Sequence, residues 1–209
     1  MTKKPKIHQI KAIIFDLGNV LIFYDHLIAA KSIAKKSGVS EKKVFQVLSG
    51  EKSEFVDFCE KGVSENKYWH LFTKILKTSS ISPKILTSLW NNIFWPNKPM
   101  LKLLSKLKDY DLGLISNIDK GHKNYLLKKY NLKENFKAMI FSCDIGIRKP
   151  SSKIYQTALN KLGARPAETI FIDDIEKNLI KAKKLGMHTI LFKTNKQLFK
   201  QLKQLGVKI

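Results

Sequence analysis

Reactive side chains follow four short apolar segments, each at the point where the segment ends. Asp16 follows residues 12–15, Ser116 follows residues 112–115, and the pair at 173–174 follows residues 169–172. Lys149 lies in the loop after a further apolar segment, residues 138–141. Continuous apolar runs of this length predict strands buried on both faces. Because ligands bind at the carboxyl ends of the strands in open α/β sheets, we expect all four positions to line one edge.

This combination of residues suits phosphoryl transfer through an aspartyl-phosphate. Asp16 could attack phosphorus if its charge repulsion with the phosphate were cancelled. Mg²⁺ held by carboxylate oxygens of Asp16 and Asp174 would provide most of that cancellation. Lys149 would add a point charge, and the Ser116 hydroxyl and nearby backbone amides would add hydrogen bonds. Each residue alone would be an ordinary turn or helix-cap residue, but their joint occurrence at strand ends indicates a site.

The elements that must position these residues alternate along the second half of the chain. Helices are predicted from Met100 to Leu107 and around Leu126, with others opening at Ser151 and after Asp174, and an amphipathic helix ends the chain. Between them lie the remaining apolar segments, the last at residues 189–192. This alternation predicts an α/β fold with a doubly wound parallel sheet.

The first strand is separated from the others by a long stretch without strand signals. Residues 26–94 carry apolar residues at helical spacing and predict four or five helices, with Pro96 marking the exit. We therefore expect a core formed by residues 1–22 and 97–209, which includes a short basic lead-in, and an inserted helical unit at residues 23–96. Three tryptophans are predicted to fill the interior of that unit and its seam with the core: Trp69, Trp90 and Trp95.

Composition limits the classes of function. The 209 residues carry a net charge of +22, yet Arg148 and Arg165 are the only arginines among 39 basic residues. Specific nucleic-acid recognition relies on arginine, so we interpret the scattered lysines as a solvated surface that attracts anionic substrates rather than nucleic acid. No apolar run is long enough to span a membrane, and Cys59 and Cys143 form no disulfide framework or metal-ligand spacing. We expect a reduced, cytoplasmic setting.

Four motifs in order resemble those of the haloacid dehalogenase-like hydrolase superfamily. They occupy residues 16–21, 115–117, 146–150 and 171–174. The helical insertion resembles the C1-type cap of that superfamily. The forms of the third and fourth motifs resemble the branch that contains sugar-1-phosphate phosphatases and the N-terminal phosphatase domain of soluble epoxide hydrolase.

This resemblance implies a role for each matched residue. Asp16 would be the nucleophile and Lys149 would assist it in catalysis. Ser116, Asn117 and Lys149 would bind the phosphoryl group. The Mg²⁺ ligands implied by the resemblance are two or three carboxylates and one main-chain carbonyl: Asp16, Asp174 with Asp173 beside it, and Gly18.

Gly18 departs from the pattern, because most phosphatases of the superfamily carry a general acid, an aspartate, at this position. A positioned acid contributes about 10²–10⁴-fold to the rate. We therefore expect either a preference for good leaving groups or an acid recruited from the cap side, where Asp25 is the nearest candidate. For Asp25 we favour the structural explanation, a residue at the start of a helix. For His122, near the second motif, a role at the start of a helix explains the residue at least as well as contact with a substrate.

The sequence thus predicts a Mg²⁺-dependent phosphatase that acts on a small phosphorylated metabolite, a sugar phosphate or similar. One alternative is a catalytically weakened relative with a binding role, because of Gly18. Dehalogenation of 2-haloacids is a weaker alternative, since the chain has no arginine before Arg148 to bind the substrate. A phosphorelay receiver is rejected because its acidic pair follows the first strand, whereas the pair in this chain lies late in the sequence, at residues 173–174. The oligomeric state stays open.

Overall fold

Five parallel strands form the central sheet of the computed structural model, which describes residues 9–50 and 53–209. The first eight residues of the predicted basic lead-in lie outside the described residues. The strands run in the order β5-β4-β1-β6-β7. Their bounds are Ala12–Phe15 (β1), Asp111–Ser116 (β4), Ala138–Phe141 (β5), Thr169–Asp173 (β6) and His188–Leu191 (β7).

The register of the three central strands brings their carboxyl ends level. Phe15, the last residue of β1, pairs with Leu114 on one side and with Ile172 on the other. The backbone N–H of Asp16 then donates to the Ile172 carbonyl at 2.8 Å. All four residues of β1 are fully buried, which explains the uninterrupted apolar run there. The residues that follow β1, β4 and β6 therefore meet at one edge.

Helices cover both faces of this sheet, as a doubly wound fold requires. The bounds are Lys98–Leu104 (α6), Lys120–Tyr130 (α7), Ser142–Ile145 (α8), Ser152–Leu162 (α9), Glu176–Lys184 (α10) and Asn195–Gln204 (α11). Side chains of β1 that point one way pack with the helices α6, α7 and α11, and those that point the other way pack with α9 and α10. The predicted α/β class is confirmed, although α6 ends at Leu104 rather than Leu107 and the short helix α8 was not predicted.

The described residues of the insertion form five helices, within the predicted four or five. These are His26–Ser37 (α1), Glu41–Ser49 (α2), Glu54–Glu60 (α3), Glu65–Leu76 (α4) and Pro83–Asn91 (α5). Their apolar faces bury one another in a separate cluster that includes Phe55, Trp69 and Phe72. None of the described helices is both long enough and apolar enough to cross a membrane.

Two short antiparallel strands join the insertion to the sheet-bearing part of the chain. Strand β2 (Ile22–Tyr24) pairs with β3 (Phe94–Pro96), so the chain enters and leaves the insertion through one ribbon. The prediction missed both strands because three residues are too few to show a period. The prediction for Trp95 was wrong: it lies on β3 and is 45% exposed, against Phe23, while Trp69 and Trp90 are buried as expected.

Candidate active site

Lys149 joins two of the carboxylates at the sheet edge. Its ammonium nitrogen lies 2.8 Å from Asp16 Oδ1 and 2.7 Å from Asp173 Oδ2, and its side chain is 2% exposed. Burial raises the pKa of Asp16 well above its ordinary value, although the Lys149 charge opposes this. Burial lowers the pKa of Lys149, but the two carboxylates outweigh that effect and raise it overall. The lysine is therefore held as a cation beside the predicted nucleophile.

Asp173 holds Lys149 in place rather than facing the cavity. It is fully buried, and its Oδ1 accepts hydrogen bonds from the Ile175 backbone N–H at 2.8 Å and from Asn178 Nδ2 at 3.0 Å. Its Oδ2 accepts from Lys149 at 2.7 Å and from Asn178 at 3.1 Å. Both oxygens are thus engaged. Asn178, on α10, was missed by the sequence prediction, because nothing but its spacing of five residues from Asp173 could have indicated it.

Asp174 faces the cavity and completes a group of three carboxylates. One oxygen from each of Asp16, Asp173 and Asp174 lies within 4.8 Å of the others. Asn19, whose φ of 53° is in the left-handed region that asparagine tolerates, donates from Nδ2 to Asp174 Oδ2 at 3.1 Å. Carboxylate oxygens this close to one another are a donor set that suits a hard divalent cation.

Gly18 presents its main chain to the same side. The backbone hydrogen bonds around it join the Asn19 N–H to the Ile22 carbonyl and the Ile22 N–H to the Leu17 carbonyl, so the Gly18 carbonyl takes no part in them. A Cβ at Gly18 would lie 2.9 Å from Cε1 of Tyr24. The Tyr24 ring therefore occupies the space in which an aspartate side chain at this position would begin.

Ser116 and Asn117 lie at the end of β4, opposite Asp16, and differ in what they contact. Ser116 is buried and its hydroxyl makes one long hydrogen bond, 3.5 Å, to the Asn117 carbonyl. Asn117 donates from Nδ2 to the Lys149 carbonyl at 3.1 Å and accepts from the Lys149 N–H at 2.8 Å. Asn117 thus fixes the loop that carries Lys149, while Ser116 keeps a hydroxyl available beside the cavity.

A cavity of about 230 Å³ lies over Asp16, between the sheet edge and the insertion. Six of the seven residues predicted for the site line it, all except Asp173. Asp25 does not line it: its carboxylate accepts from the Leu27 N–H at 2.8 Å and caps α1. The structure therefore brings the predicted residues together and keeps the candidate acid Asp25 apart from them.

A second buried polar cluster, centred on Asp119, joins the insertion to the core. Asp119 accepts from Tyr68 Oη at 3.4 Å, from Trp90 Nε1 at 3.3 Å and from the His122 N–H at 2.9 Å. The His122 ring lies between Asp119 Oδ2 and the Trp90 carbonyl, with 2.9 Å to each. The sequence prediction missed Asp119, although an aspartate three residues after Ser116 and before a helix is a recognisable cap signal.

Arg148 forms a second link between the core and the insertion. Its guanidinium lies 2.6 Å from Glu60 Oε2 and 2.9 Å from Asp57 Oδ1, both on α3. Burial raises the pKa of Glu60, an effect that Arg148 opposes. Gly62, which follows α3 with a φ of +92°, passes so close to α8 that a Cβ there would lie 2.2 Å from the Cys143 carbonyl oxygen. The insertion thus contacts both α8 and the loop that carries Lys149.

Comparison with known proteins shows the class to which this fold and site belong. The chain belongs to the haloacid dehalogenase-like hydrolase family, whose sequence profile matches residues 13–192. This confirms the family resemblance drawn from the four motifs.

Among the curated relatives, rat bifunctional epoxide hydrolase 2 is 32% identical over 114 residues, which are 52% of this chain and 21% of that protein. The chain thus spans only about a fifth of the length of this relative. A sesquiterpene phosphatase of Aspergillus oryzae is 28% identical over 182 residues, 85% of this chain and 87% of that protein. A Bacteroides thetaiotaomicron enzyme of the family, solved with magnesium and inorganic phosphate, has a TM-score of 0.78 and 27% identity, covering 91% and 99% of the two chains.

Proposed function

We propose that this protein is a Mg²⁺-dependent phosphatase that hydrolyses a small phosphomonoester through an aspartyl-phosphate on Asp16. One observation carries the proposal: a buried lysine bridges Asp16 and Asp173 while Asp174 stands within 4.8 Å of both. Such an arrangement could hold a divalent cation on its carboxylates, next to the fixed charge of Lys149. Both positive charges would attract an anionic phosphoryl group. The phosphatase named among the relatives, and the family member solved with magnesium and phosphate, support the same assignment.

Asp16, Lys149 and Ser116 have separate roles in the proposed reaction. The hydrogen bonds that Asp16 accepts from the Leu17 N–H and from Lys149 both go to Oδ1, so we assign the attack on phosphorus to Oδ2. The new bond between Oδ2 and phosphorus forms as the bond to the leaving oxygen breaks, and the leaving oxygen takes a proton from water, because Gly18 has no side chain to supply one. Water then attacks phosphorus, which releases inorganic phosphate and restores the Asp16 carboxylate. Lys149 and the Ser116 hydroxyl hold the phosphoryl oxygens.

The metal assigned to this site fits the donors present. Asp16, Asp174 and the Gly18 carbonyl offer oxygen atoms, and Asn19 orients the Asp174 carboxylate. Because both oxygens of Asp173 are already engaged, we assign that residue to positioning Lys149. When bound, the cation would neutralise charge on the phosphoryl group and the nucleophile.

We also propose that the protein is located in the cytoplasm. Residues 23–96 act in this proposal as the cap that closes over the substrate. The links through Asp119 and Arg148 would keep the cap seated while the substrate is bound. The closed cap would then exclude bulk water from the reacting atoms, apart from the water molecule that attacks phosphorus.

The test is hydrolysis of acetyl phosphate and p-nitrophenyl phosphate, with Mg²⁺ and with EDTA. We expect Mg²⁺-dependent turnover that Asp16→Asn abolishes. Asp25→Asn is the matched control and should keep its turnover, because Asp25 caps a helix away from the cavity and asparagine caps equally well. Turnover by folded Asp16→Asn equal to wild type would contradict the proposal.

Gly18 favours a second candidate, a protein that binds phosphorylated ligands but turns them over poorly. If the missing acid limits the rate, Gly18→Asp should raise kcat for p-nitrophenyl phosphate less than its kcat for an alkyl phosphate, which needs protonation of the leaving oxygen. Because Tyr24 blocks position 18, we expect this gain only when Tyr24→Ala is combined with it. Equal kcat values in the wild type and the double variant for the alkyl phosphate would refute the missing-acid explanation.

A further inference from the structure

The cavity over Asp16 has two chemically different sides. The sheet edge supplies polar groups for a phosphoryl anion, including Ser116, Lys149 and Asp174. The insertion supplies apolar side chains from three helices (α2, α3 and α5) and strand β3: Leu48, Phe55, Val56, Cys59, Trp90 and Phe94. The part of a substrate that lies beyond the phosphoryl group would therefore contact the second side.

Several of the polar groups on this apolar side, though not the Tyr24 hydroxyl or the His26 ring, are already engaged with other protein groups of the described residues. Glu60 is the single charged residue that the described part of the insertion contributes to the cavity lining, and it pairs with Arg148 at 2.6 Å. The Trp90 indole N–H donates to Asp119, and both ring nitrogens of His122 face protein oxygens at 2.9 Å. The Trp90 and His122 nitrogens therefore have few hydrogen bonds left to offer a ligand, and Glu60 is held in an ion pair with Arg148.

Aromatic rings form a continuous row along the same side. Tyr24 packs against His26 with ring centroids 4.9 Å apart, and His26 stacks on Trp90 at 5.0 Å with an angle of 17° between the planes. Trp90 in turn stacks on His122 at 4.5 Å and 25°. Burial lowers the pKa of His26 to about 4, so this ring is uncharged at neutral pH. Stacked aromatic faces favour contact with flat or apolar groups.

We propose that the substrate is the phosphomonoester of a compact apolar alcohol or phenol, with an aryl, cycloalkyl or short branched body, rather than a sugar phosphate. This inference rests on the proposed function and replaces the expectation of a sugar phosphate. Sugar hydroxyls buried against this side would lose their bonds to water and would gain few partners in exchange. The cavity of about 230 Å³ is smaller than the ~300–1,000 Å³ of typical ligand sites. The part of the substrate beyond the phosphoryl group must therefore be compact.

The experiment compares two phosphates that share one carbon ring: cyclohexyl phosphate and myo-inositol 1-phosphate. Their kcat/KM values are measured with Mg²⁺, together with their inhibition constants against acetyl phosphate hydrolysis and their affinities for Asp16→Asn by calorimetry. We expect cyclohexyl phosphate to be favoured by at least about tenfold, in the range that hydrophobic pockets discriminate. Equal or better binding of myo-inositol 1-phosphate would overturn the inference, even where acetyl phosphate is hydrolysed.

Failure of the proposed function has a different signature, namely no hydrolysis of acetyl phosphate that depends on Asp16. The calorimetric comparison still decides the present inference in that case. A variant pair adds a second readout: Val56→Asn places an amide on the apolar side, and Val47→Asn makes the same change at a half-buried valine that does not line the cavity. Val56→Asn should shift the preference toward myo-inositol 1-phosphate by about tenfold, and Val47→Asn should leave it unchanged. A preference that Val56→Asn does not move would contradict the assignment of this side.

Discussion

Replacing Lys149 by methionine tests whether the charge arrangement at the sheet edge is as the structure describes it. The substitution keeps the length of an apolar stem and removes the one cation that contacts both Asp16 and Asp173. Breaking a buried ion pair by removing one partner costs about 3–5 kcal/mol, because the other charge is left uncompensated. For a protein of this length each kcal/mol shifts Tm by about 2–4 °C. We therefore expect Tm to fall by about 6–20 °C in EDTA.

The response to Mg²⁺ and to pH should change together with the stability. A cation that binds only the folded state, at a free concentration of a hundred times its Kd, stabilises the folded state by about 2.7 kcal/mol. Lys149→Met should gain more from Mg²⁺ than the wild type does, because the lysine no longer competes for Asp16. Burial raises the pKa of Asp16, and loss of the opposing Lys149 charge should raise it further, so the stabilising protonation of Asp16 is present at low pH and is lost as the pH rises. The deficit in Tm should accordingly be smaller at pH 5 than at pH 8.

Thermal unfolding followed by circular dichroism, with and without Mg²⁺, measures these effects. Lys161→Met is the matched control, since Lys161 is exposed on α9, and its Tm should stay close to that of the wild type. Adding Asp173→Asn to Lys149→Met removes one of the repelling charges and should recover part of the loss. If Lys149→Met and Lys161→Met unfold at the same temperature in EDTA, Lys149 is not the buried partner of two carboxylates and the reasoning fails.

Two further predictions concern stability away from the nucleophile. Gly62→Ala should lower Tm more than Gly146→Ala does. Both residues have positive φ, but only at Gly62 would the added Cβ lie against protein, 2.2 Å from the Cys143 carbonyl oxygen. Thermal unfolding of the two variants side by side checks this, and equal losses of Tm would contradict the tight contact between α3 and α8. Glu168→Gln should destabilise the protein at pH 7 but not near pH 2. The reason is that hydrogen bonds and charges from Arg165 and Lys11 lower the pKa of Glu168 from 4.5 to about 2, so this stabilisation is present above pH 4.5 and lost as the pH falls toward 2. Tm measured against pH for the variant and the wild type gives the answer, and a difference independent of pH would refute it.

Local signals in the sequence determined most of the secondary structure and the outline of the site. The apolar run before Asp16 could be read as a buried strand because β1 is covered on both faces, and helix ends such as Gly38 and Gly163 were recognisable because glycine adopts the left-handed conformation there. That Asp16, Ser116 and Lys149 would meet followed from the rule that parallel strands end at a common edge.

Tertiary structure alone decided which polar groups are engaged and which are available. Asp173 and Asp174 are neighbours in the sequence, yet Asp173 is turned inward to Lys149 and Asn178 while Asp174 faces the cavity. The stacking of His26 on Trp90 joins residues 64 positions apart in one wall of the cavity, and no local pattern encodes it. A sequence specifies side-chain types and local periods, whereas contacts between distant residues depend on how separate elements pack. The convergence of polar residues at the sheet edge was therefore predictable, but the packing of the insertion residues that line the cavity was not.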